Sequence, residues 1–323
     1  LLWFEDKAGF DRINRLGAGG KDFFFLISYD HSRIFADSLD RLPTGLLYRL
    51  DDWKNYDIAL RRRNFTFKKK PLPFEKYHMA IQKAQDEIRA GNTYLLNLTF
   101  PTPVITDLDL QTIFLYAAAP YKLYVPNHFT CFSPEKFITI RNNSITTYPM
   151  KGTIDASIPQ AEEKILKNPK EAAEHVMITD LMRNDLSRIA DNTRVLRFRY
   201  LDRIKAGEKE LLQVSSEILA DLPPDWRTEI GTILREITPA GSVTGTPKRK
   251  TIEIISRIEN YDRGFYTGIF GVCRGKELRA AVLIRFIEQN ETGLLYKSGG
   301  GITLESDPRR EYTELIDKIY LPL

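Results

Sequence analysis

The chain is poor in the residues that build metal clusters and disulfide frameworks. It has only two cysteines and four histidines. Cys131 and Cys273 lie far apart in no metal-ligand spacing, which excludes a thiolate metal site and a disulfide scaffold and suits a reducing cytoplasm. No glutamine-hydrolysing nucleophile is expected of either cysteine, although Gly271-Val272-Cys273-Arg274-Gly275 has the Gly-x-Cys-x-Gly spacing. Excess charge is scarce too: 47 Lys and Arg face 43 Asp and Glu, for a net charge of +4. The one dense basic stretch, Arg61-Arg62-Arg63 and then Lys68-Lys69-Lys70, has no aromatic-rich motif beside it. It reads as a solvated linker, with no nucleic-acid partner. No apolar run approaches the roughly 18 residues of a membrane span, so no membrane partner is expected. Nothing near Leu1 reads as a signal peptide, and neither repeats nor low-complexity segments occur.

What is present is an ordinary globular composition, sufficient for one large domain or two small ones. A short N-terminal segment over 1–70 carries a strand at 23–29, a turn at Asp30-His31 and a strand near Ile34-Phe35. Pro71-Leu72-Pro73 marks the junction to the remainder, 71–323. There the spacing of Tyr77, Ile81, Ala84 and Ile88 predicts a helix over 74–90, stopped by Gly91. Strands follow at 93–100, 128–132, 137–141 and 144–148, with Asn142-Asn143 as a hairpin turn. Helices dominate 157–190, where Asn168-Pro169-Lys170-Glu171 is a start signal. A helix opening at Thr246-Pro247 carries Ile252, Ile255 and Ile258; strands return at 266–274, 278–288 and 293–297. Asp307-Pro308 caps a last helix reaching about 320. Strand groups alternate with helix groups without a βαβ repeat, so the fold class is α+β.

Several residues could carry chemistry. Lys151, between strand-like residues and Gly152, can be aimed into a cavity, where burial or a neighbouring cation would make its amine a nucleophile. Glu174 falls on the rim of an apolar helical stripe and either reaches into a cleft or turns to water. Asp180, Arg183 and Asp185 read as internal ties of that helix's end. Glu311 and Glu314, three apart, can share a divalent cation, or Glu314 can decorate an exposed face with Lys318. Gly241-Ser242-Val243-Thr244-Gly245-Thr246-Pro247-Lys248 fails as a phosphate loop, because Thr246-Pro247 intervenes before the lysine. It still offers hydroxyls and N–H groups at a helix start. Gly299-Gly300-Gly301, after a strand, could admit an anion close to the backbone. Arg285, ending an apolar strand, is either an ion-pair partner or reserved for a ligand carboxylate.

Taken in order, these segments resemble the chorismate-utilising enzymes. The strings that carry the resemblance are Ser133-Pro134-Glu135, Met150-Lys151-Gly152-Thr153, Asp180-Leu181-Met182-Arg183-Asn184-Asp185, the Gly241–Lys248 loop, and Ser298-Gly299-Gly300-Gly301-Ile302 followed by Ser306-Asp307-Pro308 and Glu311-Tyr312-Thr313-Glu314. The resemblance implies a two-sheet β core flanked by helices. Lysine at position 151, where anthranilate and isochorismate synthases usually carry alanine, resembles the aminodeoxychorismate synthase branch. It implies that Lys151 attacks C2 of chorismate as the C4 hydroxyl leaves, that ammonia then adds at C4, and that Glu135 serves as acid and later base, a task needing a raised pKa. Glu174 and Glu314, with Glu311 close by, match Mg²⁺ ligands. Ser242, Thr244, Tyr266, Arg285, Lys318 and the Gly299, Gly300 and Gly301 amides match groups that hold the substrate. A separate glutamine amidotransferase would supply ammonia.

Three departures accompany the resemblance. A histidine that the family often carries downstream of its first metal-ligand glutamate would fall near Leu211, where none occurs and Gln213 is the nearest polar substitute. Thr246 replaces a usual alanine. No Leu-Leu-Glu-Ser string marks a tryptophan pocket, so tryptophan regulation is not expected. The rival readings are an anthranilate synthase large subunit and a non-catalytic chorismate-binding subunit.

Overall fold

The structure, a computed structural model, describes every residue except 59, 61, 62, 207 and 208, with the side chains of 170, 204–206 and 209 also outside the description. The expectation for Arg61 and Arg62 therefore lies outside the described residues. The chain forms two compact units, each interleaved along the sequence. One holds 1–42, 135–242 and 268–282; the other holds 43–134, 243–267 and 283–323. The N-terminal 70 residues are thus divided between them. Among the described residues no helix is long and apolar enough to cross a membrane.

The first unit is built on an antiparallel sheet. Its strands run in the order Met150–Asp155, Lys209–Asp221, Ser144–Thr147, Lys136–Arg141, Glu277–Val282, Ile269–Arg274, Phe23–Ile27 and Ile34–Ser38. Asp191–Ala206 pairs with Lys209–Asp221 off this path. Phe23–Ile27 is five consecutive buried apolar residues, as a strand covered on both faces requires. The predicted hairpin at Asn142-Asn143 is present, with both residues at positive φ. The predicted helical stretch is two helices, Ala161–Lys167 and Pro169–Ser187, and the side chain of Asn168 accepts from the Glu171 amide at 3.2 Å.

Several elements of this unit were not read from the sequence, among them a helix and a strand. Helix Asp6–Ala18 contains Gly9 and Gly17, which depress helix propensity but allow close packing: a Cβ at Gly17 would lie 2.0 Å from the Arg227 carbonyl oxygen. Strand Asp191–Ala206 shifts register three times against its partner, and residues 194–198 are all exposed. The period-two alternation that identifies a strand is lost there.

The second unit has its own antiparallel sheet, ordered Gly245–Thr246, Leu95–Thr106, Gly293–Ile302, Phe286–Asn290, Phe129–Ser133, Tyr121–Val125, Leu47–Leu50 and Trp53–Lys54. Helices Phe74–Arg89, Lys248–Glu259 and Pro308–Asp317 pack on it: Tyr77, Ile81 and Ala84 meet Leu96, Leu98, Ile254, Ile255 and Leu315 in one core. On the middle helix the buried isoleucines are Ile254 and Ile255, while Ile252 is half-buried.

Other expectations are corrected as well. Lys68 and Lys69 belong to strand Phe67–Lys69 at the edge of the long Leu95–Thr106 strand, so they are no linker. The predicted 278–288 strand is two, Glu277–Val282 and Phe286–Asn290, in different sheets, and Arg285 sits in the break at φ 51°. The strand predicted from 266 begins only at Ile269, because Thr267 has φ 63° and leaves extended geometry. The glycine triplet lies inside strand Gly293–Ile302, not after it.

Candidate active site

In the first unit, Lys151 lies on strand Met150–Asp155, whose pairing with Lys209–Asp221 is irregular between Met150 and Thr153. Gly152 takes φ 82° in this irregularity, and a Cβ there would approach the Glu171 carboxylate to 3.0 Å. The strand is thereby pressed against helix Pro169–Ser187. Lys151 Nζ stands 3.6 Å from Glu174 Oε2, with both side chains largely shielded from water. Glu174 is buried, so of the two alternatives left by its position on the helix, the inward one holds.

Glu171, read from sequence only as part of a helix start, and His175, not read as a site residue, both lie beside the Lys151–Gly152 segment. Glu171 lies one turn before Glu174, a spacing that could have flagged it. His175 is wholly buried, its Nε2 lies 2.7 Å from Ser216 Oγ, and Phe198 meets its ring edge-on. Burial above all, with the cations of Arg199 and Lys151 adding to it, lowers its pKa to about 4, so the imidazole is neutral. Leu211 pairs with Asp155 and brings no titratable group to that strand, and Gln213 stands opposite Thr153.

Glu135 lies in the same unit. Its carboxylate accepts a hydrogen bond from Ser242 Oγ at 2.5 Å, and its carbonyl accepts from the Val282 amide. Asp180 and Arg183 form an exposed i,i+3 pair, the internal tie expected of them.

In the second unit, the glycine triplet pairs with Asn97, Leu98 and Thr99. Gly299 is dictated by packing, since a Cβ there would lie 2.5 Å from the Leu98 carbonyl oxygen. Gly300 differs. Its Cβ position is 3.7 Å from Lys318 Nζ and 3.8 Å from both Glu311 Oε2 and Glu314 Oε1. Helix Pro308–Asp317, capped by Asp307 through the amides of Arg309 and Arg310, thus turns two carboxylates onto this bare stretch of backbone. The ammonium of Lys318 lies 2.6 Å from Glu314 and donates to the Gly299 carbonyl at 2.9 Å. Burial and these two carboxylates push the Tyr77 phenol well above its usual pKa. Beyond Lys297 the strand pairs on only one edge among the described strands, so alternate amides of the triplet point away from the ladder.

Arg285 belongs to the same unit. Its guanidinium lies 5.5 Å from the Tyr320 ring centroid, and its buried Nε has no hydrogen-bond partner. Tyr266 is buried with its ring 5.9 Å from that of Phe286; Thr244 is buried, and its carbonyl accepts from the Asn97 amide at 2.7 Å. Thr267 and Arg285, both non-glycine residues at positive φ, bracket this wall, and the Thr267 amide donates to the Leu283 carbonyl. Strain of this kind collects where a site imposes a backbone shape.

The expected metal set is distributed: Glu174 in the first unit, Glu311 and Glu314 in the second. Among the described residues no three His, Cys, Asp or Glu side chains form a ready-made cluster. Magnesium commonly uses one or two carboxylates and takes its remaining oxygens from water and substrate, so hard oxygen donors converging over Gly300 fit such an ion.

Known proteins are similar to this chain in sequence and in fold. An uncharacterized PabA-like protein of Haemophilus influenzae is 45% identical over 97% of this chain and 96% of its own length. Aminodeoxychorismate synthase component 1 of Bacillus subtilis is 27% identical, covering 77% of this chain and 55% of its own. Anthranilate synthase component 1 of Archaeoglobus fulgidus is 31% identical, covering 76% and 61%. The fold matches a putative 2,3-dihydroxybenzoate-specific isochorismate synthase from Bacillus anthracis with a TM-score of 0.76, at 19% identity, over 100% of this chain and 90% of the other. The α+β architecture of two antiparallel sheets with flanking helices is that of the chorismate-utilising enzymes. Residues 55–323 match the family model of the chorismate binding enzymes, and the chain belongs to that family.

Proposed function

We propose that this chain is an aminodeoxychorismate synthase component I, converting chorismate and ammonia to 4-amino-4-deoxychorismate on the way to 4-aminobenzoate and folate. One observation carries the reading: a lysine, shielded from water and set beside the Glu174 carboxylate, occupies the centre of the Met150–Thr153 motif. An alanine there could not form a covalent intermediate. As a neutral amine, Lys151 attacks C2 of the ring while the C4 hydroxyl departs, and Glu135 gives that hydroxyl its proton. Ammonia adds at C4 as the C2–nitrogen bond breaks, which returns the lysine, and Glu135 now accepts a proton. Ser242, donating to Glu135, fixes the direction of that carboxyl.

Arg285, with its unpartnered Nε, and the outward amides of the glycine triplet suit substrate carboxylates. Tyr266 and Thr244 contribute to the wall beside them. A magnesium ion held by Glu311 and Glu314 would act as Lewis acid and template for the ring carboxylate, and Glu174 is assigned to metal binding by resemblance alone. Ammonia would come from a separate amidotransferase in the cytoplasm, because both cysteines are buried and burial pushes the Cys273 thiol to about 12 and Cys131 higher still. The anthranilate synthase reading keeps support from the 31% identity to the Archaeoglobus protein.

Incubation with chorismate, Mg²⁺ and ammonium, followed by mass analysis of the product, decides between them. Aminodeoxychorismate supports the proposal, and anthranilate as sole product overturns it. Turnover undiminished in EDTA removes the metal from the scheme.

A further inference from the structure

Glu311 and Glu314 stand one helical turn apart, and the ammonium of Lys318 lies beside them over Gly300. It is held from two sides, by Glu314 at 2.6 Å and by the Gly299 carbonyl at 2.9 Å. Its distance to the Gly300 Cβ position, 3.7 Å, matches the 3.8 Å of the two carboxylates. Carboxylate and main-chain carbonyl oxygens are the donors that a hard divalent cation takes. Lys318 therefore places among them what such an ion would bring, a positive charge surrounded by oxygens. The first unit also sets a lysine beside a glutamate, with Lys151 Nζ 3.6 Å from Glu174 Oε2.

We propose that Lys318 is a tethered cation: it fills the Glu311–Glu314 site while no divalent ion is bound, and an entering divalent ion displaces it toward the substrate's carboxylate. The inference rests on the magnesium reading of these glutamates and deepens it, by making metal entry and lysine release one exchange. No covalent bond changes, and the lysine keeps its proton throughout. Two cations repel strongly when they share one carboxylate, so joint occupancy is unfavourable. The Lys318–Glu314 pair is partly exposed, at 27% and 55%, and such pairs are weak enough to be opened by a competing ion. Lysine is suited to this exchange because its long stem swings the charge aside without moving the helix. The order of binding follows: metal first, then substrate carboxylate, since the ammonium is committed to Glu314 until the ion arrives.

Mn²⁺ alone, titrated into the metal-stripped full chain and followed by electron paramagnetic resonance and calorimetry, tests the exchange. Lys318→Met is expected to bind Mn²⁺ about five-fold tighter than wild type, and Lys318→Arg, which keeps the charge, no tighter. Acylation of Lys318 by an amine-selective reagent, read by peptide mass, is expected to rise about three-fold or more when Mg²⁺ is added, because the released amine is more accessible. Mn²⁺ binding by Lys318→Met no tighter than wild type, or labelling indifferent to Mg²⁺, overturns the tethered cation while the metal reading stands. Absence of Mn²⁺ binding in all three proteins overturns the metal reading and the exchange with it.

Discussion

At the scale of single residues, the site depends on the placing of one amine and on one buried ring. Lys151→Ala is expected to lower turnover by a few hundred-fold or more with little change in chorismate binding, since the amine acts only as the ring reacts. Steady-state kinetics alongside equilibrium binding checks this, and near-wild-type turnover would remove Lys151 as nucleophile. His175 makes a different prediction. Its folded pKa of about 4 lies below the 6.5 of an ordinary imidazole, so above 6.5 neither state is protonated and the residue adds no pH dependence. As pH falls from 6.5 toward 4, the unfolded chain takes up a proton that the folded chain refuses, and stability drops. The loss is at most about 3 kcal/mol and is complete below pH 4. Urea midpoints measured across that range should fall less steeply for His175→Gln than for wild type.

At the scale of elements, adjacent glycines in strand Gly293–Ile302 serve opposite ends. Gly299→Ala drives a methyl into the Leu98 backbone and should cost about 1–3 kcal/mol in a urea melt. Gly300→Ala meets only ordinary contacts, so the melt should be nearly unchanged while metal and substrate binding weaken. Equal effects in both assays would deny that the two positions differ. The triplet was legible in sequence as a place for anions, but its setting inside a ladder was not, because three glycines give no side-chain alternation. Local signals served well where they were complete: Asn168 before Pro169, Asp307 before Pro308 and the Asn142-Asn143 turn all appear as read. The 278–288 stretch failed as a reading because continuous apolar residues do not reveal a change of sheet. The candidate site residues were assigned through their resemblance to known motifs. Glu171 and His175, which lie outside those readings, needed the fold to bring them to Lys151.

For the molecule as a whole, the dependence on a second protein is open to a direct test. Glutamine-driven synthesis should require an added amidotransferase, whereas ammonium-driven synthesis should not, and the latter should rise toward about pH 8.5–9 as free NH₃ becomes abundant. Glutamine use by the isolated chain would contradict this division of labour. The interleaving of the two units bears on something else, the birth of the chain. Strand Phe23–Ile27 has two neighbours in its sheet, Ile34–Ser38 close behind it and Ile269–Arg274 about 240 residues later. Ribosomes add roughly 5–20 residues each second, so this wholly apolar strand waits some 10–50 s with one edge unclosed. During that interval Phe23, Phe24 and Phe25 are exposed to solvent, neighbouring nascent chains and chaperones. Yield in the cell should therefore depend on how fast the stretch encoding residues 39–274 is translated.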